Sequence, residues 1–257
     1  MVPDRLLLKK MMTMVRSVVF PEYYETDGLD WNDRPQETWI FRELRHVLAG
    51  QLRTVLPPTT AEDTTDRFMA TLPEVARRLH TDVQAAMTND PAVESEMEVV
   101  FCYPMTEVML HYRTAHELLL LGVPLLPRML TEMAHSATGI DIHPRATIGD
   151  YFCIDHGTGV VIGATSIIGR NVCIYQGVTL GARNFHYDEE GLPRDIPRHP
   201  IIEDNVTIYS NASVLGRITI GHDTVIGGNV WLTHDVAPHS RVLQHSATQQ
   251  PSVTREV

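Results

Sequence analysis

The spacing of apolar residues along the chain changes character near residue 139. Upstream of that point it follows a helix. Ile40, Leu44 and Val47 recur at i, i+4 and i+7, opened by Pro35 and closed by Gly50. Phe68, Leu72, Val75, Leu79 and Val83 continue the same period, and Pro73 is expected to break or restart that helix. Val108, Met109, Tyr112, Ala115, Leu119 and Leu120 form a further stripe, stopped by Gly122 and Pro124. A shorter helix is expected over 127–134. The pattern predicts an α-helical domain over residues 1–138.

Downstream the period is six. Aliphatic residues stand at Ile142, Ile148 and Ile154, slip by two residues, and resume at Ile162, Ile168, Ile174 and Leu180. A polar excursion occupies 182–200, after which Ile202, Ile208, Val214, Ile220, Ile226 and Leu232 restore the beat. Small or β-branched residues often sit four places on, as at Ala146, Val172, Val206 and Thr224. Neither a helix nor an alternating strand has this period. Each repeat instead supplies one short strand and a turn, and stacked coils bury the aliphatic column inside a β-solenoid. Gly and Asn at the corners are expected to supply the unusual backbone angles of the turns. The solenoid is predicted over 139–243, with the excursion loop inside it and a flexible tail at 244–257.

Composition narrows the classes. The chain has 257 residues, 43% of them hydrophobic, and 32 acidic against 21 basic side chains leave a formal charge of −11. That balance argues against nucleic acid or an anionic membrane as the main partner. Cys102, Cys153 and Cys173 form no C-x-x-C pair, which reads as reduced thiols in a cytoplasmic protein. Cys153 and Cys173 are expected to stack on neighbouring coils. The apolar run from Met11 to Phe20 is interrupted by Arg16 and Ser17, and no signal peptide is expected. The run 118–126 is too short to span a bilayer. His111 and His116, five apart, do not share a helix face as a metal pair would, and packing roles are expected for them.

Within the solenoid, Thr138-Gly139-Ile140-Asp141-Ile142-His143-Pro144 is followed by Ile154-Asp155-His156-Gly157-Thr158-Gly159. Further on stand Tyr175-Gln176-Gly177-Val178-Thr179-Leu180-Gly181, Arg198-His199-Pro200 and Gly227-Gly228-Asn229-Val230. In the helical half, Asn89-Asp90-Pro91-Ala92-Val93 and His111-Tyr112-Arg113-Thr114-Ala115-His116 belong to the same set. In order and spacing these strings resemble the serine O-acetyltransferase family of hexapeptide acyltransferases over about residues 70–240. The resemblance implies an α+β protein: an N-terminal α-helical domain followed by a left-handed parallel β-helix of hexapeptide repeats. It also implies acetyl transfer from acetyl-CoA to the hydroxyl of L-serine, giving O-acetyl-L-serine and CoA for cysteine biosynthesis. The alternative is a related hexapeptide acyltransferase with another hydroxyl or amine acceptor.

A serine hydroxyl is a poor nucleophile at neutral pH, and a positioned imidazole answers that need. By resemblance His156 is the general base, and Asp141, fifteen residues earlier, is the carboxylate that orients it. Asp90 and Asp155 would take the substrate ammonium, Arg198 its carboxylate, and His199 a neighbouring contact. Gly181 and Ala182 would meet the pantetheine arm or the developing oxyanion, and Ser210 and Gly228 would lie beside CoA. Small residues at these four positions fit a tight coil equally well. No metal is implied. The family assembles as a trimer or a dimer of trimers, with sites between subunits, and L-cysteine is its feedback inhibitor. The chain departs from the family in its long 183–197 loop and in its ending, Thr254-Arg255-Glu256-Val257, where relatives carry the terminal Ile that docks on O-acetylserine sulfhydrylase. The departure weakens the case for that partner. A zinc-dependent β-helix of the γ-carbonic anhydrase type would need three imidazoles on adjacent coils, and the H-x-x-x-x-H pair His234 and His239 lies only at the solenoid's end.

Overall fold

A computed structural model describes residues 2–26, 29–31, 35–184, 188–191 and 194–244. Its first part is helical: α1 (Arg5–Val19), α2 (Trp39–Leu52), α3 (Pro58–Asn89), α4 (Glu96–Cys102), α5 (Pro104–Leu120) and α6 (Leu126–Thr138). The apolar stripes of α2, α3 and α5 are the ones the sequence marks. The structure corrects the expected limits of α2, α6 and α3. Gly50 lies inside α2 rather than ending it, and α6 begins one residue before 127 and runs four past 134, to Thr138, where Gly139 closes it at φ 72°. Pro73 does not break α3, which continues for 32 residues. A helical proline costs about 3 kcal/mol. Phe68, Leu72, Val75 and Leu79 around it are each at most 1% exposed, and burying such side chains gains about 1.5–3 kcal/mol apiece. Two helices escape the sequence reading. α1 is capped by Asp4, which accepts from the Leu6 and Leu7 amides, and α4 by Ser95, which accepts from the Glu98 amide.

Fourteen short strands follow among the described residues. The first coil holds β1 (Asp141–Ile142), β2 (Thr147–Ile148) and β3 (Cys153–Asp155), and the second β4 (Val161–Ile162), β5 (Ile167–Ile168) and β6 (Cys173–Tyr175). The third holds β7 (Thr179–Gly181), β8 (Ile201–Ile202) and β9 (Thr207–Ile208), and the fourth β10 (Ser213–Leu215), β11 (Thr219–Ile220) and β12 (Val225–Ile226). β13 (Trp231–Leu232) and β14 (Arg241–Val242) begin and end the fifth. Neighbouring coils pair in parallel and in register, giving sheet one (β1-β4-β7-β10-β13), sheet two (β2-β5-β8-β11) and sheet three (β3-β6-β9-β12-β14). The product is a parallel β-helix. Every residue of the six-period column, from Ile142 to Leu232, is at most 2% exposed, so the period is the core.

Asn171, Asn205, Asn211 and Asn229 hold corner positions with φ between 55° and 59°, as the turns demand. The glycines that follow the aliphatic column do not share that role. A Cβ on Gly149 would lie 2.6 Å from the Gly169 carbonyl oxygen, so glycine there serves the close stacking of coils. Helices and solenoid are joined by side chains that reach across. The Tyr112 hydroxyl donates to the Ala146 carbonyl at 2.5 Å, and the His116 Nδ1 donates to the Pro144 carbonyl at 2.8 Å. His111 is buried, its Nδ1 donating to the Glu107 carbonyl. Both histidines have the packing roles expected of them. Cys153 and Cys173 pair in register, buried and free. The 245–257 segment of the expected tail lies outside the described residues, as do 185–187 and 192–193 of the excursion loop.

Candidate active site

The two-residue slip in the repeat falls between Ile154 and Ile162, at the corner where sheet three turns into sheet one. Asp155 ends β3, and His156 follows with φ 55°. Gly157 and Gly159 continue the turn at φ 82° and 81°. The extra residues enlarge this corner and carry His156 outward, leaving its side chain three-quarters exposed with Nε2 3.8 Å from Asp155 Oδ1. Asp155 itself is mostly covered.

Asp90 reaches this corner from the C-terminal cap of α3. Its carboxylate accepts from the Tyr103 hydroxyl at 2.5 Å and from the Ala92 amide at 2.8 Å. These two donors, with the charge of His156 nearby, hold the Asp90 carboxyl below the usual range, and the Tyr103 phenol is pushed up in turn by Asp90, burial and Asp155. Asp90, Tyr103, Asp155 and His156 therefore form one electrostatic group, in which the two carboxylates carry the negative charge. It suits a substrate ammonium and a hydroxyl awaiting deprotonation. Ser210 and Gly228 sit at the same corner on higher coils, where the Ser210 carbonyl accepts from the Asn229 amide and lies 3.2 Å from where a Gly228 Cβ would stand.

A second group occupies the corner where sheet one turns into sheet two. Thr165 Oγ1 accepts from the Arg198 amide at 2.9 Å and the His199 amide at 3.1 Å. His199 Nδ1 accepts from the Thr165 amide at 3.1 Å, which leaves the ring proton on Nε2. Burial, with Arg198, His143 and Arg217 around it, holds His199 down at about 4. The Arg198 Nε–H is buried with no hydrogen-bond partner among the described residues, a donor that an anionic ligand group would satisfy. Gly181 ends β7 at this corner, its carbonyl accepting from the Gly216 amide, and Ala182 follows half-buried.

Asp141 shares no side-chain hydrogen bond with either group among the described residues. It lies on β1 opposite Val161, and its carboxylate faces the Arg128 guanidinium of α6 at 3.4 Å. Within the single chain the carboxylate beside His156 is Asp155. The site residues named from sequence thus divide three ways: Asp90, Asp155, His156, Ser210 and Gly228 at one corner, Gly181, Ala182, Arg198 and His199 at another, and Asp141 on the face between. Sequence reasoning missed Tyr103 and Thr165. Tyr103 precedes Pro104 at a helix start, and Thr165 sits in a repeat turn where any small polar residue would fit. Neither carries a signal in sequence.

An exposed imidazole on a coil corner of a parallel β-helix, with carboxylates beside it, resembles the arrangement of a hexapeptide-repeat transferase. Residues 199–234 match the family model described as bacterial transferase hexapeptide (six repeats), and residues 36–103 match the serine acetyltransferase N-terminal model. The chain is 45% identical over 260 residues to the plasmid serine acetyltransferase of Synechococcus elongatus, covering 94% of this chain and 82% of that protein. Among solved structures it resembles serine acetyltransferase isoform 3 of Entamoeba histolytica in complex with cysteine, with TM-score 0.81 and 33% identity over 96% of this chain and 84% of the other. A serine acetyltransferase complex with CoA matches with TM-score 0.63 and 25% identity over 92% and 97% of the two chains. The chain belongs to the serine acetyltransferase family.

Proposed function

We propose that this protein transfers the acetyl group of acetyl-CoA to the hydroxyl of L-serine, giving O-acetyl-L-serine and CoA for cysteine biosynthesis. The observation that carries the reading is the enlarged corner at His156, with Asp155 on its strand and Asp90 held over it by Tyr103. Asp90 and Asp155 take the ammonium and Arg198 the carboxylate, with His199 alongside. His156 removes the hydroxyl proton as the serine oxygen attacks the thioester carbon. The C–O bond forms, the C–S bond breaks, and the proton passes from the imidazolium to the departing thiolate. Backbone amides near Gly181 and Ala182 meet the developing oxyanion or the pantetheine arm, and Ser210 and Gly228 flank CoA.

The ammonium and carboxylate partners sit at different corners of one solenoid. A second copy, placed so that the His156 corner of one chain faces the Arg198 corner of the next, completes the site and brings an Asp141 toward His156. Val161, Ile167 and Trp231 are exposed on sheets one and two, apolar surface that such a contact covers. This supports a homotrimer, or a dimer of trimers, with shared sites. L-cysteine, which differs from serine only in its thiol, would occupy the same ammonium and carboxylate partners as a feedback inhibitor. The three free cysteines fit a cytoplasmic protein, and among the described residues no helix is long and apolar enough to cross a membrane.

The test is release of CoA thiol from acetyl-CoA with L-serine, L-homoserine, a galactoside or no acceptor, alongside His156→Ala. Release with L-serine alone, lost in the variant, is expected. Release with a different acceptor moves the substrate, and none with any acceptor overturns the reading.

A further inference from the structure

The corner between sheets two and three, away from His156, carries three chemically notable side chains at the end of the solenoid. His222 and Asp223 lie on the fourth coil and His239 on the fifth, and one donor atom from each falls within 4.8 Å of the others. Both imidazoles approach the same carboxylate oxygen: His222 Nδ1 is 2.7 Å and His239 Nδ1 3.8 Å from Asp223 Oδ2. The rings stand edge to face with centroids 4.8 Å apart.

The backbone holds this cluster in place. The His239 amide donates to the His222 carbonyl at 2.9 Å, which ties the two coils together at the histidines. Asp223 and His239 occupy left-handed corner positions at φ 56° and 58°. The other oxygen of Asp223 accepts from Asn205 Nδ2 at 3.1 Å, and Asn205 Oδ1 accepts from Asn171 Nδ2 at 2.9 Å. This ladder of amides, one per coil, fixes the carboxylate as outer partners fix a metal ligand. The side-chain partners of the Asp223 carboxylate among the described residues are His222, His239 and Asn205, none of them a guanidinium or ammonium. Two other groupings compare poorly. Arg128 already bridges Glu132 and Asp141 next to His135, and the cluster of Glu22, His80 and Glu96 offers one imidazole.

We propose that His222, Asp223 and His239 bind a divalent transition-metal ion of the zinc class, which fastens the last coil to the one before it. Two imidazoles and a carboxylate suit zinc, cobalt, nickel or copper rather than magnesium or calcium. Solvent fills the remaining coordination positions, since all three side chains are exposed. The last coil is the one that gains: β14 pairs only with β12, so an added bond at His239 restrains an otherwise one-sided edge.

The experiment uses the full chain carrying Cys102→Ser, so that the exposed thiol does not compete, stripped with a chelator and titrated calorimetrically with Zn²⁺. His222→Ala and His239→Ala are compared with His234→Ala, an exposed histidine outside the cluster, and far-UV circular dichroism confirms that each variant is folded. Zinc binding weakened on the order of tenfold or more in both cluster variants and unchanged in His234→Ala is the expected result. A zinc-induced rise in melting temperature should accompany it and vanish in His239→Ala. Binding that survives both cluster substitutions, absent binding in the parent, or equal displacement by Mg²⁺ overturns the proposal.

Discussion

Asp82 of α3 and Arg113 of α5 form a buried two-pronged ion pair at 2.6 and 2.7 Å, and both extend it to the solenoid. Asp82 also accepts from the Phe152 amide at 3.1 Å, while Arg113 donates to the Gly149 carbonyl at 2.9 Å. Each side chain is at most 2% exposed. The pair thus joins two helices to the first coil through four hydrogen bonds. Removing one partner leaves an uncompensated buried charge, which typically costs about 3–5 kcal/mol. Arg113→Ala is expected to lower stability by that order in chemical denaturation. A loss no larger than that of an exposed arginine such as Arg67 would show that the joint does not depend on the pair.

Tyr103 governs the position of Asp90 through their 2.5 Å hydrogen bond. Tyr103→Phe removes the hydroxyl and keeps the ring. Losing a hydrogen bond to a charged acceptor loosens that carboxylate, less so where water can replace the donor, as at this half-covered position. The KM for L-serine is therefore expected to rise by about tenfold, with kcat and the KM for acetyl-CoA little changed. A fall in kcat at constant KM would mean that Asp90 acts on the reacting atoms rather than on substrate binding.

The solenoid was legible because its core is one-dimensional: a side chain every six residues makes the column from Ile142 to Leu232, and nothing in tertiary structure reassigns it. The slip between Ile154 and Ile162 was legible too, as a fault in the period, and the fault is the corner that holds His156. Helical limits were less so. Pro73 is a local signal overridden by burial on either side, and the short α4 has too few residues to show a stripe. The support of the site was hidden for a different reason. Tyr103 and Thr165 act through contacts 13 and 34 residues away along the chain, and no periodicity encodes such a distance.

Gly163 and His199 meet on adjacent coils. A Cβ on Gly163 would stand 1.9 Å from His199 Cδ2, inside the imidazole, while the φ of Gly163 is not left-handed. Alanine is therefore excluded by the ring and not by the backbone, and Gly163→Ala must push His199 away from Thr165. The expected result is a folded protein with KM for L-serine raised about tenfold, equivalent to about 1.4 kcal/mol. A Gly163→Ala/His199→Ala double variant, which has room for the methyl, should bind serine no worse than His199→Ala alone. A double variant much worse than that single one would place the effect of Gly163 in the coil itself.

His111 makes stability depend on acid. It is buried on α5, and burial, with Arg16 nearby, lowers it from an ordinary 6.5 to about 4. The unfolded chain therefore binds a proton below pH 6.5 that the folded chain refuses until about pH 4. Over that window the unfolded state holds more protons, so stability falls as pH falls, by up to about 1.4 kcal/mol per unit for this one group. Below pH 4 both states are protonated and its contribution stays flat. Denaturation midpoints measured between pH 7 and 4 should decline, and His111→Gln should remove close to one proton from the uptake linked to unfolding near pH 5. An unchanged proton uptake in His111→Gln would assign the acid sensitivity to other groups, such as the half-buried His143 and the buried His199, which are also held at about 4.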